Sequence, residues 1–161
     1  MMSIPVRLAL GSNLGDREEL LQQARDLIEE RLLTGLVCSP IHETDPVGPP
    51  QPKYLNQIVR GECEVSAMDA LQICLGIEKQ MGRERTLQWG PRSIDIDILT
   101  FGDQQISETM LTIPHPRLME RSFVLAPWAD LEPNFVVPVT GRSVADLLAA
   151  LPSSLRGTAG C

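Results

Sequence analysis

The chain has 161 residues and a formal charge of −7. This length is near that of one domain and suffices for a sizeable core, so we expect a single domain over residues 1–161, frayed after about residue 152. We also expect a monomer. The acidic balance argues against nucleic acid, which is bound by broad basic surfaces. No apolar run approaches the roughly 20 residues of a membrane-spanning helix and no secretory signal opens the chain, so we expect a cytoplasmic protein without a membrane partner.

The first predicted elements are a strand over residues 6–10, a glycine turn and a helix. The turn reads G-S-N-L-G, and Asp16 begins a helix with apolar residues at helical spacing up to about Leu32. The turn is similar to phosphate-binding loops, but it lacks the lysine of a Walker motif and the third glycine of the dinucleotide fingerprint. We therefore favour a structural turn over a nucleotide site.

A proline-rich loop is predicted at residues 45–53, after short strands at 36–39 and 41–44. It contains four prolines and one glycine, and a loop of this length inside a compact domain is usually functional or disordered. The strand that follows places Tyr54 and Asn56 on one face. An aromatic ring beside a side-chain amide suits a flat heterocycle, which stacks on the ring while the amide reads its edge. The alternative is a boundary aromatic next to an ordinary polar strand residue.

Further elements follow from capping residues and periodicity. They are a helix from Ser66 to about Met81, ended by Gly82, a strand over residues 94–101, an extended segment at 111–117, a short helix at 123–129, a strand at 135–137, and a helix from Ser143 to about Leu151. Prolines on both sides hold His115 in the extended segment. It is either a structural hydrogen-bonding residue or, beside Arg117 and Arg121, a phosphate ligand.

The stretch from residue 89 to 101 reads W-G-P-R-S-I-D-I-D-I-L-T-F. Its alternation places Asp95 and Asp97 on one face of a strand, roughly 6.5 Å apart along the chain. The pair is either a solvated polar face or a binding site for Mg²⁺, which takes one or two carboxylates and completes its shell with water and phosphate oxygens. Arg92 just before the strand favours a metal-bound polyphosphate.

Several segments together resemble a known family. They are G-S-N-L-G-D, D-P-V-G-P-P-Q-P-K-Y-L-N, G-R-E-R-T-L-Q-W-G-P-R-S-I-D-I-D-I-L, and P-H-P-R followed by R-S-F-V-L-A-P. In order and spacing they resemble the 6-hydroxymethyl-7,8-dihydropterin pyrophosphokinases of folate biosynthesis, from about Val6 to Leu151. The resemblance implies an α+β ferredoxin-like fold, an antiparallel sheet with helices packed on it. It also implies transfer of pyrophosphate from ATP to the pterin, giving the pterin diphosphate and AMP.

The resemblance implies the site residues as well. Asp95 and Asp97 would bind two Mg²⁺ ions, with ATP as the co-substrate. The expected catalytic residues are Arg83, Arg85, Arg92, Asp95 and Asp97. The expected pterin-binding residues are Thr44, Val47, Tyr54, Asn56, Trp89 and Phe123. The expected nucleotide-binding residues are Glu78, Arg85, Trp89, Arg92, Ile98, Thr112, His115 and Arg121.

Three positions depart from the family pattern, and two other functions stay open. Gln88, Met110 and Pro116 stand where relatives carry charged, basic or aromatic residues that help to hold ATP. A nucleotidyltransferase would also use a D-x-D strand, but it would attack the α-phosphate and release pyrophosphate. A non-catalytic ligand-binding domain on the same scaffold is the second alternative, because a fold does not by itself fix a function.

Overall fold

The computed structural model describes residues 3–45, 50, 52–82 and 94–152. The strands are β1 (Ile4–Ser12), β2 (Leu33–Cys38), β3 (His42–Thr44), β4 (Tyr54–Cys63), β5 (Asp95–Phe101), β6 (Ile106–Ser107), β7 (Thr112–Ile113), β8 (Val136–Val137) and β9 (Arg142–Ser143). The helices are α1 (Arg17–Arg31), α2 (Ala67–Gln80), α3 (Ser122–Leu131) and α4 (Val144–Ala150), with a 3₁₀ turn at Leu118–Glu120.

An antiparallel sheet forms the centre of the fold. Its strand order is β2-β4-β1-β5, and β3 pairs with the start of β4. Leu8 of β1 lies opposite Val59 of β4 on one side and Ile98 of β5 on the other. The two longest strands therefore occupy the middle, where each is paired on both sides, and the predicted antiparallel sheet with helices packed on it is confirmed.

Alternation along the strands supplies two apolar layers. Leu8, Leu10 and Ile98 point towards α1 and α2, whose buried residues include Ile28 and Ile77. Residues of the opposite parity point towards α3 and α4 and form a second cluster around the fully buried Trp128. Because successive strand residues alternate between faces, one sheet buries both layers.

The predicted helix starts are confirmed by capping hydrogen bonds. The side chain of Asp16 accepts from the Glu19 backbone N–H at 3.2 Å. The hydroxyls of Ser66 and Ser143 accept equivalent bonds, each 3.1 Å long, from the third residue of their helices. Gly82, with φ +83°, follows the end of α2, as its left-handed conformation suits a helix C-terminus.

One strand differs clearly from its prediction. The second strand begins at Leu33 rather than residue 36. Its register with β4 shifts between Thr34 and Val37, and Gly35 there has φ +64°. A bulge of this kind interrupts the alternation on which the prediction depends. None of the helices in the described part of the chain has both the length and the apolar character needed to cross a membrane.

Candidate active site

Strand β5 carries the predicted carboxylate pair. Ile94, Ile96 and Ile98 are buried against the α1–α2 layer, whereas Asp95 and Asp97 are only partly buried. The alternation therefore points both carboxylates to one face, as predicted, and this face is the α3 side of the sheet. Arg121, the residue before α3, places its Nη1 atom 3.8 Å from Oδ2 of Asp97, so one cation already lies beside the pair.

A row of residues crosses the sheet at this point. Gly11 of β1 lies opposite Asn56 of β4 and opposite Asp95 of β5, and directly opposed residues project on the same face. A Cβ atom at Gly11 would lie 3.5 Å from both Asn56 Oδ1 and Tyr54 Cδ1. Because Gly11 has no side chain, the Tyr54 ring and the Asn56 amide can lie close to its backbone, on the face that also carries Asp95. We call this glycine the floor of the site.

The amide of Asn56 is oriented by its neighbour. Its Nδ2 atom donates to Thr44 Oγ1 at 2.6 Å, and both side chains are buried. This bond turns Oδ1 towards the floor at Gly11. Since Thr44 also lies opposite Tyr54 in the β3–β4 pairing, three of the predicted pterin-binding residues come together at one end of the sheet.

Phe123, in the first turn of α3, is the remaining predicted pterin-binding residue within the described part of the chain. Phe123 is partly buried against the α3–α4 layer. The guanidinium carbon of Arg121 lies 5.5 Å from the centre of the Phe123 ring, within the range of a cation–π contact. Arg121 therefore contacts Phe123 and approaches Asp97, which joins the aromatic part of the site to its carboxylates.

His115 is fixed by two backbone contacts. Its N–H donates to the Leu99 carbonyl of β5 at 3.0 Å, and its Nδ1 atom accepts from the Arg117 backbone N–H at 3.2 Å. Burial, followed by the charge of Arg121, lowers the pKa of His115 to about 4, although the charge of Asp95 acts in the opposite direction. Near neutral pH the ring is uncharged, and because Nδ1 is an acceptor, Nε2 carries the proton.

Apart from Arg121, the predicted nucleotide-binding residues that the structure describes are divided between two places. Thr112 and His115 line a cavity of about 480 Å³ between the β6–β7 hairpin and residues 138–140. Glu78 and Ile98 are buried in the layer beneath the sheet. There, Glu78 Oε2 accepts from the backbone N–H of Ile96 at 2.8 Å. These two side chains are only 3% and 5% exposed, so they present almost no surface to a ligand, and neither lines the cavity.

The carboxylate pair fits a magnesium ion with phosphate ligands. Asp95 and Asp97 face the same side, and the described residues contain no group of three or more potential ligands among His, Cys, Asp and Glu. Mg²⁺ differs from ions that need a full protein cage, because one or two carboxylates suffice when water and phosphate oxygens fill the other positions. The donor set is therefore suitable.

Some predicted residues lie outside the described residues. They are Val47, Arg83, Arg85, Trp89 and Arg92. In turn, the structure adds Gly11, which the sequence analysis assigned only to a structural turn, and the Arg117 backbone N–H that selects the His115 tautomer. Local patterns gave no signal for Gly11, because its place on the floor depends on the register of three strands.

The fold matches solved structures of longer proteins. With a Plasmodium falciparum HPPK-DHPS triple mutant bound to SDX-DHP the TM-score is 0.71 at 17% identity, covering 91% of this chain and 44% of that chain. A second Plasmodium falciparum HPPK-DHPS, with pterin and p-hydroxybenzoate, gives a TM-score of 0.72 at 16% identity and covers 91% and 43%. The chain thus spans less than half of these structures. The shared fold is ferredoxin-like, so the chain belongs to the class of α+β ferredoxin-like domains.

Sequence relationships give the family. The family model described as 7,8-dihydro-6-hydroxymethylpterin-pyrophosphokinase, abbreviated HPPK, matches residues 7–133. The chain is 42% identical over 149 residues to the 2-amino-4-hydroxy-6-hydroxymethyldihydropteridine pyrophosphokinase of Pseudomonas aeruginosa, covering 91% of each chain. With the protein of that name from Bacillus subtilis the identity is 44% over 126 residues, 77% of this chain and 75% of that one. The chain belongs to the HPPK family, which confirms the resemblance of its motifs.

Proposed function

We propose that this protein transfers the β,γ-pyrophosphoryl group of ATP to the hydroxymethyl oxygen of 6-hydroxymethyl-7,8-dihydropterin, with release of AMP. Membership of the family supports this reaction. The observation that carries it in the structure is the row formed by Asn56, Gly11 and Asp95. A flat ligand against Asn56 and Tyr54 would direct a substituent across the glycine floor towards the carboxylates.

The pterin half of the site uses one aromatic and one amide from β4. The pyrimidinone edge of a pterin presents N–H donors, which match the Oδ1 acceptor that Thr44 leaves on Asn56. Tyr54 and Phe123 would stack on the two sides of the ring. Val47 and Trp89 complete the proposed pterin set.

Asp95 and Asp97 would hold two Mg²⁺ ions, and Arg121 would contact the phosphates beside them. When bound, the ions supply positive charge for the triphosphate and for the reacting hydroxyl. Arg83, Arg85 and Arg92 add cations in this proposal. Compensation of negative charge and in-line positioning are the main requirements of phosphoryl-group transfer.

The nucleotide half of the site includes a neutral donor. With its proton on Nε2, His115 would donate a hydrogen bond to a phosphate oxygen without adding charge. Thr112 lines the same cavity as His115 and would contact the nucleotide there. Glu78 and Ile98 would support the nucleotide side from the buried layer beneath β5.

The transfer itself is one displacement. The pterin hydroxyl oxygen forms a bond to the β-phosphorus of ATP, while the bond from that phosphorus to the bridging oxygen of the α-phosphate breaks. AMP leaves with the electron pair, and the hydroxyl proton passes to solvent. The residues of the chain orient the two substrates in line and exclude water from the β-phosphorus.

The proposal also covers the state of the protein in the cell. We take it to be a cytoplasmic monomer with a single domain and with no nucleic-acid or membrane partner. The net charge of −7 supports the absence of a nucleic-acid partner, because phosphate backbones require basic surfaces. Sedimentation at several protein concentrations tests the monomer directly.

Product analysis tests the reaction. The purified protein is incubated with ATP, Mg²⁺ and 6-hydroxymethyl-7,8-dihydropterin, and the phosphorus products are followed by ³¹P NMR. The expected products are AMP and a pterin diphosphate. Release of pyrophosphate would indicate a nucleotidyltransferase, and binding of both substrates without turnover would indicate a non-catalytic domain; either result contradicts the proposal.

A further inference from the structure

The turn between β1 and α1 contacts the segment that precedes β4. Asn13 is fully buried, and its Nδ2 atom donates to the Pro52 carbonyl at 2.9 Å. Thirty-nine positions separate these residues in the chain. Because Asn13 is buried, its amide needs hydrogen-bond acceptors within the protein, and this bond holds Pro52 against the turn.

Arg17, the first residue of α1, bridges two further segments. Its Nη1 atom donates to the Lys53 carbonyl at 2.8 Å and to Glu43 Oε2 at 2.9 Å. Glu43 belongs to β3, whereas Lys53 lies just before β4. One guanidinium therefore joins the two ends of the proline-rich loop. We call these ends, each with the adjoining strand residues, the stems of the loop: residues 43–45 and 52–54.

The stems carry residues of the pterin site. Glu43 immediately precedes Thr44, and Lys53 immediately precedes Tyr54. Thr44 and Tyr54 lie opposite each other in the β3–β4 pairing. The contacts of Asn13 and Arg17 are thus made next to the residues that orient the amide and present the ring, while Asp97 and Arg121 belong to β5 and to the start of α3.

The exposed ion pair of the stems is weaker than these contacts. Lys53 Nζ lies 3.9 Å from Asp45 Oδ1, and their side chains are 56% and 65% exposed. Pairs of this kind contribute little because solvent screens them. The Arg17–Glu43 pair is also partly exposed, at 30% and 46%, but the same guanidinium additionally binds a backbone carbonyl, and a charged donor strengthens that bond.

We propose that Asn13 and Arg17 are positioning residues for the pterin site: they clamp the two stems of the proline-rich loop so that Thr44 and Tyr54 are in place before the pterin binds. The choice of the pterin as the ligand rests on the proposed function. The clamp itself rests only on the contacts above. The G-S-N-L-G turn thereby has a role in the proposed site: through the side-chain amide of Asn13 it holds the segment that leads into Tyr54.

The test compares Asn13→Ala and Arg17→Ala with matched controls. Asn134→Ala removes an exposed asparagine, and Arg31→Ala removes an exposed arginine from the other end of α1. Calorimetry measures the affinity for 6-hydroxymethylpterin in the presence of Mg²⁺ and the α,β-methylene analogue of ATP, and separately the affinity for the analogue. Hydrogen exchange measures protection of the Thr44 and Tyr54 amides.

Each clamp variant is expected to raise the Kd for the pterin about tenfold, the effect of one lost buried or charge-assisted hydrogen bond. The Kd for the nucleotide analogue should stay within about twofold, and the controls should match wild type. Exchange at Thr44 and Tyr54 should accelerate in the clamp variants only. Arg17→Lys, which keeps a cation, should recover part of the affinity.

Unchanged pterin affinity in both folded clamp variants would overturn the proposal, as would an equal loss for pterin and nucleotide. If Asn13→Ala does not fold, the half-exposed Arg17 still permits the test. Wild-type protein that binds no pterin contradicts the proposed function instead. In that case faster exchange of the stem amides still supports the clamp, and unchanged exchange overturns it.

Discussion

The carboxylate pair on β5 shows how much chemistry a single period-two pattern can specify. Asp95 and Asp97 face one side because the isoleucines between and around them are buried on the other. This arrangement was predictable from the sequence, since side-chain direction in a strand depends only on position parity. The nearby Arg121, 24 positions after Asp97 in the sequence, could not be placed in that way, because its distance of 3.8 Å depends on how α3 packs.

Removal of one charge from the pair tests its role. Asp97→Asn keeps the size of the side chain but weakens the expected metal binding, and we expect turnover to fall on the order of 10³-fold. Steady-state rates across a Mg²⁺ titration provide the measurement. Asp103→Asn, at an exposed position in the turn after β5, is the control. Near-normal turnover of Asp97→Asn at all Mg²⁺ concentrations would refute the metal assignment.

Substitutions of His115 test whether its Nε2 atom donates a hydrogen bond to the nucleotide. Because its Nδ1 atom accepts a bond from Arg117, only Nε2 is available to a phosphate. A glutamine can place an N–H near the position of Nε2, whereas an asparagine is too short, so His115→Gln should keep about tenfold more activity than His115→Asn. The kcat/KM of each variant at pH 7.5 (about one unit above an ordinary histidine pKa) is the measurement. Equal losses would count against a donor role of Nε2.

Strand register determines which residues of different strands are neighbours in the sheet. The sequence predicted that Tyr54 and Asn56 share a face, but it did not show that Gly11 and Asp95 complete their row. Register depends on contacts between strands that are far apart in sequence, which local periodicity does not contain. The bulge at Gly35 illustrates the same limit, because it moved the start of β2 away from the predicted residue.

An alanine can replace Gly11 without backbone strain. Gly11 has a backbone conformation open to other residues, and an added methyl group would lie at ordinary contact distance, 3.5 Å, from Tyr54 and Asn56. We expect Gly11→Ala to raise the KM for the pterin about tenfold with little change in thermal stability, because the methyl group occupies ligand space. Gly76→Ala, in α2, is the control. A large loss of stability with unchanged KM would show that the floor is not part of the pterin site.

At the scale of the whole molecule, a buried ionic cluster joins α3 to the sheet. Glu132, at the end of α3, accepts two bonds from Arg7 of β1, at 3.0 and 2.9 Å, and one each from Trp128 and Arg60. The Arg7 guanidinium also lies 3.8 Å above the ring of Phe135. Arg7 and Glu132 are 125 positions apart, so the cluster could not be recognised in the sequence. It fixes the helix that follows Arg121, the residue proposed to contact the phosphates.

This cluster makes stability depend on pH. Burial by itself would raise the pKa of Glu132, but the hydrogen bonds from Arg7 and Trp128 and the charges of Arg7 and Arg60 outweigh it and hold the pKa below its ordinary value of 4.5. The unfolded chain therefore takes up this proton at a higher pH than the folded chain does. The stabilisation is complete above pH 4.5 and is lost as the pH falls through the folded pKa.

Glu132→Gln isolates this contribution. At neutral pH it leaves buried Arg7 without its counter-charge, so we expect the free energy of unfolding to fall by about 3 kcal/mol. In acid the difference from wild type should shrink, because the wild-type carboxylate also becomes neutral. Urea unfolding across the pH range measures both, with the exposed Glu29→Gln as control. A difference that stays constant with pH would exclude the charge of Glu132 as its cause.

In the proposed site, pterin and metal-bound nucleotide meet on one face of the sheet, across Gly11. This arrangement can be tested with Mn²⁺ in place of Mg²⁺ and the α,β-methylene analogue of ATP, by recording paramagnetic relaxation of the protons of bound 6-hydroxymethylpterin. We expect strong relaxation of the hydroxymethyl protons, weaker relaxation of the remote ring positions, and loss of the effect in Asp97→Asn. Bound pterin with no relaxation would place the two substrates apart and rule out the proposed site.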